Sequence, residues 1–338
     1  EPLLGWLEDY VFVQPQLEMT LRRGLAQYRN VDVHLAWEAG RHEQLLEDAT
    51  YLVACDGGSS RIRDELGIGL ADLGYDERWL VVDLMLQRQP SPPLPNYIQQ
   101  VCDPARLATF VPSHGTHRRW EFQLHGDEQP DPWELLASWG VTKAHGDLLR
   151  AVPYRFHAIV AEQWRGGPDG RVFLAGDAAH MMPPFMGQGM CSGVRDAANL
   201  AWKLAEVVRG QSPPELLHTY ETERRAHTEA VIELSVEAGR TLARLAKNPA
   251  DLPSPAEPDA RRWSRLPGLA LGGEFPVGHQ LPQPDRLDRR LPLGWVWVAA
   301  DASFQSSDGH QVVVEPRATY GHRAVLVRPD RYIAAVAA

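Results

Sequence analysis

Two short stretches carry the residue types needed to hold a ligand with phosphate or polyol groups. In the first, YLVACDGGSSRIR over residues 51–63, an apolar run ends in Asp56-Gly57-Gly58-Ser59-Ser60. Glycines let a backbone approach a phosphate closely, and the carboxyl end of a strand is where α/β sheets take ligands. Arg61 and Arg63 can add positive charge. The competing reading is an ordinary turn in which Ser59 or Ser60 caps a helix. The second stretch, RVFLAGDAAHMMPPFMGQGMCSGVRDAANLAWKL over residues 171–204, is richer. A buried-type strand ends at Gly176-Asp177, where a carboxylate can accept hydrogen bonds from sugar or polyol hydroxyls. Pro183-Pro184 stiffens the loop that follows. Gly187 and Gly189 permit close approach to a flat ligand. A helix starting near Gly189 aims its unpaired N–H groups and positive dipole end at the same place, which favours a ligand that becomes anionic. Met181, Met182, Met186 and Met190 offer soft apolar contact. Any one of these residues fits a helix start beside a core methionine cluster; the ordered set points to a cofactor site.

The elements that must position these loops follow from periodicity. From Pro15 to about Tyr28, Leu17, Leu21 and Leu25 recur at helical spacing, and Val31, Val33 and Leu35 alternate as in a strand. Residues 51–55 form a strand that leads into a helix. The runs WLVVDLMLQ, YIQQVC, LATFVP and RRWEFQL, separated by Pro- or Gly-containing turns, predict an antiparallel sheet over residues 76–124. WELLASWG reads as a short helix, and YRFHAIVAEQW and RVFLAG as strands. A helix is expected from Gly189 to about Gly210, with Met190, Val194, Ala197, Ala201, Leu204 and Val208 on one apolar side. Residues 215–246 are mostly helical. Residues 247–292 read as linker and loops, and the tail as strands of a small further domain.

Bulk properties narrow the function classes. The chain has 338 residues, 44% hydrophobic and 23% charged, enough for two or three domains with sizeable cores. A formal net charge of -10 argues against nucleic acid as the main partner. Cys55, Cys102 and Cys191 are odd in number and widely separated, which suits neither a disulfide framework nor a metal site and reads as a reducing, cytoplasmic setting. No apolar run approaches the ~20 residues of a membrane span. No signal-peptide pattern opens the chain, which does not begin with Met.

At this point the residues resemble a known family. YLVACDGGSSRIRDELGI resembles the "DG" motif, and RVFLAGDAAHMMPPFMGQGM the "GD" motif, of the class A flavoprotein aromatic hydroxylases. Their order, with a β-rich insert between them, also fits. FVQPQLEMTLRRGL is similar to the family's helix that begins with a flavin-contacting Gln. CDPARLATFVPSHGTHRRWEF and MCSGVRDAANLAWKL look like the 3-(3-hydroxyphenyl)propionate hydroxylases in particular, and VLVRPDRYIA resembles a thioredoxin-like terminal domain found in such relatives.

The resemblance implies an α/β (mixed α+β) fold: a Rossmann-like FAD-binding domain, an inserted antiparallel β-sheet substrate domain and a partial thioredoxin-like C-terminal domain. The divisions expected are 1–75 and 155–246 for the FAD-binding domain, 76–154 for the insert and 247–338 for linker and terminal domain. It implies FAD as cofactor, NADH or NADPH as reductant, and dioxygen and a small phenolic acid as substrates. The ring is hydroxylated to a catechol by way of a flavin hydroperoxide. By resemblance Asp177, preceded by Gly176, bonds the ribityl chain. Gly187, Gln188, Gly189 and Met190 lie along the isoalloxazine edge, and Gln14 contacts the flavin from its own helix. Pro184 sits where dioxygen reacts, and Asp56 and Gly57 hold the pyrophosphate region. Arg195 and Asp196 tie their helix to its neighbours, and His180 bonds locally rather than acting as a base. Arg106, Arg118 and Arg119 are candidates for a substrate carboxylate, with Arg118 and Arg119 on opposite faces of one strand. A polycyclic phenol substrate and a non-catalytic remnant are the alternatives. No metal site and no membrane contact are expected, and the oligomeric state stays open.

The chain departs from the family in one respect. The family opens on a strand, G-x-G-x-x-G and a helix, and no such fingerprint is present. Gly67-Ile68-Gly69 lacks the third glycine, and Gly187-Gln188-Gly189 meets its next glycine at Gly193, one place late. About a hundred residues are expected before Glu1 by domain size, and residues 37–51 are short for the β-hairpin region expected there. A fragment, or ordered segments run together, is the expectation. Gly294-Trp295-Val296-Trp297-Val298 reads as a strand with two aromatics on one face.

Overall fold

The structure, a computed structural model, describes residues 11–36, 38, 40–248, 268, 269, 271, 274 and 276–337. In chain order the described elements are α1 (Gln14–Leu25), α2 (His42–Asp48), β1 (Leu52–Ala54), α3 (Arg61–Glu65), β2 (Leu70–Leu86), β3 (Gln99–Asp103), β4 (Arg106–Val111), β5 (His117–Leu124) and α4 (Pro132–Ala137). Then come β6 (Gly146–Ala161), β7 (Arg165–Gly166), β8 (Val172–Leu174), β9 (His180–Met181), α5 (Gly189–Val208) and α6 (His218–Lys247). The tail holds β10 (Val296–Ala299), β11 (Gln311–Val314), β12 (Ala324–Val327) and β13 (Ile333–Ala337). Most of the expected linker, and the first ten residues, lie outside the described residues.

Three sheets organise these elements. β1 and β8 pair in parallel, with β7 beyond β8, in the order β1-β8-β7. A six-stranded sheet runs β3-β4-β5-β2-β6-β9, and every pairing in it is antiparallel. The tail forms a four-stranded sheet, β11-β10-β12-β13, with its own core around Val296, Val298, Val325 and Ile333.

The central strand β2 is buried on both faces over residues 79–84, and this explains its sequence. Leu80, Val82, Leu84 and Leu86 of β2 join Phe110, Trp120, Phe122 and Leu124 in a core with Leu136 of α4. The alternate residues Trp79, Val81 and Asp83 face the other way, and Trp79 packs with Tyr75, Leu107 and Phe156 in the core shared with β1, β8 and α6. A strand covered on both sides reads as a nearly continuous apolar run, as WLVVDLML does. Asp83 interrupts that run and must be paired.

Several expectations change. β2 and β6 are 17 and 16 residues long and run through the expected boundaries at 75/76 and 154/155, so the inserted sheet grows out of the cofactor half without a break. Residues 31–35 form no strand; Val33 and Leu35 are exposed and lack a partner strand among the described residues, without which alternation has nothing to bury against. The short helix α2 occupies part of the segment assigned to a β-hairpin. In α5 the expected apolar side is mostly outward: Met190, Val194 and Val208 are more than half exposed. The helix buries Ser192, Asp196, Asn199, Leu200 and Lys203 instead. Polar side chains are tolerated inside because three of them are paired: Asp196 by Arg224, and Asn199 and Lys203 by Glu223. Among the described residues no helix is long and apolar enough to cross a membrane.

Candidate functional site

The two stretches singled out in the sequence meet through the β1–β8 pair. Leu52, Val53 and Ala54 pair with Val172, Phe173 and Leu174, and Ala175 N–H donates to the Ala54 carbonyl at 3.0 Å. Because the strands are parallel, Cys55-Asp56-Gly57 and Gly176-Asp177 leave the sheet side by side at its carboxyl end, the usual ligand edge of such sheets.

Buried side chains stitch the two loops together. Arg63 Nη1 donates to the carbonyls of Gly58 and Ala178, at 3.1 and 3.2 Å. A Cβ on Gly58 would overlap the Met181 sulfur. Arg63 is therefore a clamp between loops, not the phosphate-facing charge that the sequence suggested. Arg61 also turns to protein partners, Glu38 and Glu65. Ser60 caps α3, its side chain accepting from Arg63 N–H at 3.0 Å, and Asp56 Oδ2 accepts from Ile62 N–H at 3.2 Å. One carboxylate oxygen of Asp56 is thus engaged within the chain.

Asp177 is exposed, and the described residues supply no hydrogen-bond donor to it. Behind it lies a buried polar knot. Asp196 Oδ2 accepts from Gly176 N–H at 3.0 Å and lies 2.7 Å from His180 Nε2, while Oδ1 accepts from Arg224 Nε at 2.9 Å. Burial alone would raise the Asp196 carboxyl; the His180 bond and charge, Arg224 and the Gly176 N–H hold it below the ordinary range. His180 is enclosed and stacks against Trp164 at 5.2 Å, so it is no solvent-facing base.

The loop from Met181 to the start of α5 is held from two sides. His180 and Met181 form β9, the edge strand beside β6, so the loop is itself part of the six-stranded sheet. Ser235 Oγ of α6 donates to the Pro183 carbonyl at 2.6 Å. Phe185 packs on Tyr75 and Trp79, with ring centroids 5.9 and 5.8 Å apart, and a Cβ on Gly239 of α6 would strike its ring. Pro184 is thereby fixed between the sheet and α6.

Beyond Pro184 the surface opens. No side chain caps α5. Gly187 and Gly57 have φ of +62° and +86°, conformations that favour glycine. Gly189 has no such backbone need, and a Cβ placed on it would meet nothing within 4 Å. Neither conformation nor packing inside the chain accounts for glycine there. Gln188 is partly engaged, its Oε1 accepting from Arg195 Nη1 at 3.0 Å, and Met190 is exposed.

The two cofactor loops lie side by side, and Gln14 stands apart from them. α1 buries none of its residues, and the Gln14 amide donates to Glu18 one turn on in the same helix, at 2.9 Å. A helix with no packed face has nothing to hold it against the loops.

The arginine candidates also sort out. Arg106 is forked on Glu128 at 2.6 and 3.0 Å, and Arg118 donates to the carbonyls of Gly115 and His117, so neither faces the cofactor loops as a free cation. Arg119 shares the inward face with Trp79. It donates to Asp83 Oδ1 at 2.8 Å, and Arg150 of β6, which the sequence reading missed, donates to Oδ2 at 2.9 Å. His117 Nε2 lies 3.0 Å from the same carboxylate. Burial would raise Asp83, but Arg119 above all, then Arg150 and His117, hold it low. Two half-exposed guanidiniums share one buried carboxylate, and Glu121 on the same face of β5 is a second acid, pushed up by burial. The signal for Arg150 was the acid inside WLVVDLML, which required cross-strand partners. Among the described residues no group of three or more His, Cys, Asp or Glu could hold a metal ion.

Comparison with known proteins agrees with this geometry. A family described as "FAD binding domain" matches residues 26–235. A Rhodococcus jostii protein named a probable NADH-specific resorcinol 4-hydroxylase is 36% identical over 91% of this chain and 63% of its own. A 3-(3-hydroxy-phenyl)propionate/3-hydroxycinnamic acid hydroxylase of a Mycobacterium species is 38% identical over 71% of this chain and 44% of its own. The chain therefore spans less than two thirds of the length of these curated relatives. Among solved structures, aklavinone-11 hydroxylase in a ternary complex with FAD and aklavinone superposes with a TM-score of 0.64 at 25% identity, over 85% of this chain and 64% of the other. With a family match over more than half its length, the chain belongs to the FAD binding domain family, and it is similar to proteins named as aromatic hydroxylases.

Proposed function

We propose that the protein is an FAD-dependent monooxygenase that hydroxylates a phenolic aromatic acid, with 3-(3-hydroxyphenyl)propionate the leading substrate and NADH or NADPH the reductant. The observation that carries the cofactor reading is the open cradle at Gly189, beside the uncapped start of α5 and the free Asp177 carboxylate. When bound, FAD supplies the redox chemistry: it takes a hydride from the nicotinamide and activates dioxygen.

The chain's own residues bind, orient and exclude water. Asp177 accepts hydrogen bonds from polyol hydroxyls. The first N–H groups of α5 favour negative charge beside Gly187, Gln188 and Gly189. Pro184 and Met190 line the reacting edge, and Gly57 and the second oxygen of Asp56 lie toward the pyrophosphate. The six-stranded sheet roofs the substrate. On its inward face the exposed Val152 and Tyr154 of β6 offer apolar contact, and beside them Arg119 and Arg150 present guanidinium groups toward a carboxylate. This arrangement, and relatives at 36–38% identity, favour a small phenol over the polycyclic substrate suggested by the aklavinone-11 hydroxylase likeness at 25%.

The test is the visible absorption spectrum of the protein as purified and after FAD addition, followed by NADH oxidation with and without the phenolic acid. A flavin spectrum, with oxidation stimulated by the acid, is the expected result. A colourless protein that takes up no FAD would leave the non-catalytic reading.

A further inference from the structure

The buried knot behind Asp177 has no assigned part in the proposed chemistry, and its geometry points to one. We infer that Asp196 is a positioning residue for the cofactor: it fixes the Gly176–Asp177 turn from inside the protein and so presents the Asp177 carboxylate to the polyol chain. The inference rests on the FAD reading above.

Gly176 leaves the end of β8 with φ +60°, so regular secondary structure does not set the direction of its N–H. That N–H is satisfied by Asp196, a residue of another element, at 3.0 Å. The reach is short because α5 passes very close. A Cβ on Gly193 would lie 3.3 Å from the Gly176 Cα, so two glycines face each other at the crossing. Asp196 is three residues on from Gly193, on the same helix face. Its short side chain spans the remaining gap.

Asp196 is in turn held from two further directions. Arg224 of α6 donates to Oδ1, and His180 of β9 lies against Oδ2. Arg224 Nη2 also reaches Thr228 Oγ1 of α6 at 3.3 Å, so the guanidinium is anchored on its own helix. Asp196, Arg224 and His180 are all essentially inaccessible to solvent. One carboxylate therefore joins the cofactor turn, both long helices and the edge of the substrate sheet. Asn in its place cannot accept from all three donors, because one of its two terminal atoms is itself a donor.

The discriminating experiment is a double-mutant cycle read by FAD affinity at equilibrium, followed by quenching of flavin fluorescence with no reductant or substrate present. Wild type, Asp177→Ala, Asp196→Asn and the double variant are titrated. Each single variant is expected to weaken FAD binding by about 10-fold, the scale of one lost charged hydrogen bond. The double variant should bind no worse than about twofold below Asp177→Ala alone, because Asp196 acts through Asp177. A carboxylate that only stabilises the fold would give losses that multiply. Multiplying losses, or full affinity in Asp196→Asn, overturn the inference while leaving the FAD reading intact. Unchanged affinity in Asp177→Ala, or a wild type that takes up no FAD, removes both. If Asp196→Asn fails to fold, Asp196→Glu, which keeps the charge but changes the reach to the Gly176 N–H, enters the same cycle with the same criterion.

Discussion

Gly189→Ala separates a ligand's demand for glycine from the fold's. Gly189 is the first residue of α5, its φ lies outside the left-handed region, and a Cβ there meets no atom within 4 Å. Alanine therefore loses no contact in the chain without cofactor. It also lowers the entropy of the unfolded chain, a gain of ~0.4–1 kcal/mol. If a flavin packs against this position, the same methyl overfills a fitted contact at ~1–3 kcal/mol. FAD affinity should then fall by about 5- to 150-fold, at ~1.4 kcal/mol per tenfold. Two measurements decide: thermal unfolding without FAD, and FAD titration. The expected pattern is equal or higher stability with weaker FAD. Gly146→Ala is the contrast, since its Cβ would overlap the backbone carbonyl of Met85 in the paired strand, and it should lower stability without FAD. A Gly189→Ala protein that holds FAD as tightly as wild type would refute the cradle.

Arg150→Gln should weaken binding of 3-(3-hydroxyphenyl)propionate to the FAD-loaded protein by roughly 10-fold, one charge-assisted contact, and leave 3-ethylphenol unaffected. Equal effects on acid and neutral phenol in the flavin spectral titration would remove the carboxylate role. Gly239→Ala should destabilise the protein by ~1–3 kcal/mol, because its methyl drives into the Phe185 ring that holds the Pro183-Pro184 loop; an unchanged denaturation midpoint would show that loop to be loose. Lys203 is pulled down to about 8 by burial, against the opposing pull of Glu223, with Arg328 and Asp330 also close. Between about 8 and the ordinary 10.5 the unfolded chain binds more protons, so Lys203 makes stability climb as pH rises through that window. Lys203→Met should flatten the climb relative to wild type, and identical pH profiles would refute it.

Much of the architecture was legible because it depends on local pattern. The strands of the roof follow from apolar runs between turn residues, α4 from WELLASWG, and the two cofactor loops from glycines just past strand ends. Residues 31–35 show the limit of that method: alternation is necessary for a half-buried strand but does not supply the neighbour that pairs with it. The outward turn of Met190 and Val194 shows another. Helical periodicity marks two faces of α5, but which face is buried depends on partners such as Arg224 and Glu223, which are remote in the sequence.

Residue types and their spacing are enough to place two glycine-bearing loops after buried strands, with an antiparallel insert between them, since each acts over a few neighbours. Tertiary structure alone decided that Ala54 meets Leu174 in parallel register, so that Asp56 and Asp177 emerge together. It also decided that Arg63 serves carbonyls, that Arg119 and Arg150 share Asp83, and that Gln14 stands apart. Those outcomes turn on strand register and burial of charge, and both are set by contacts between segments more than twenty residues apart.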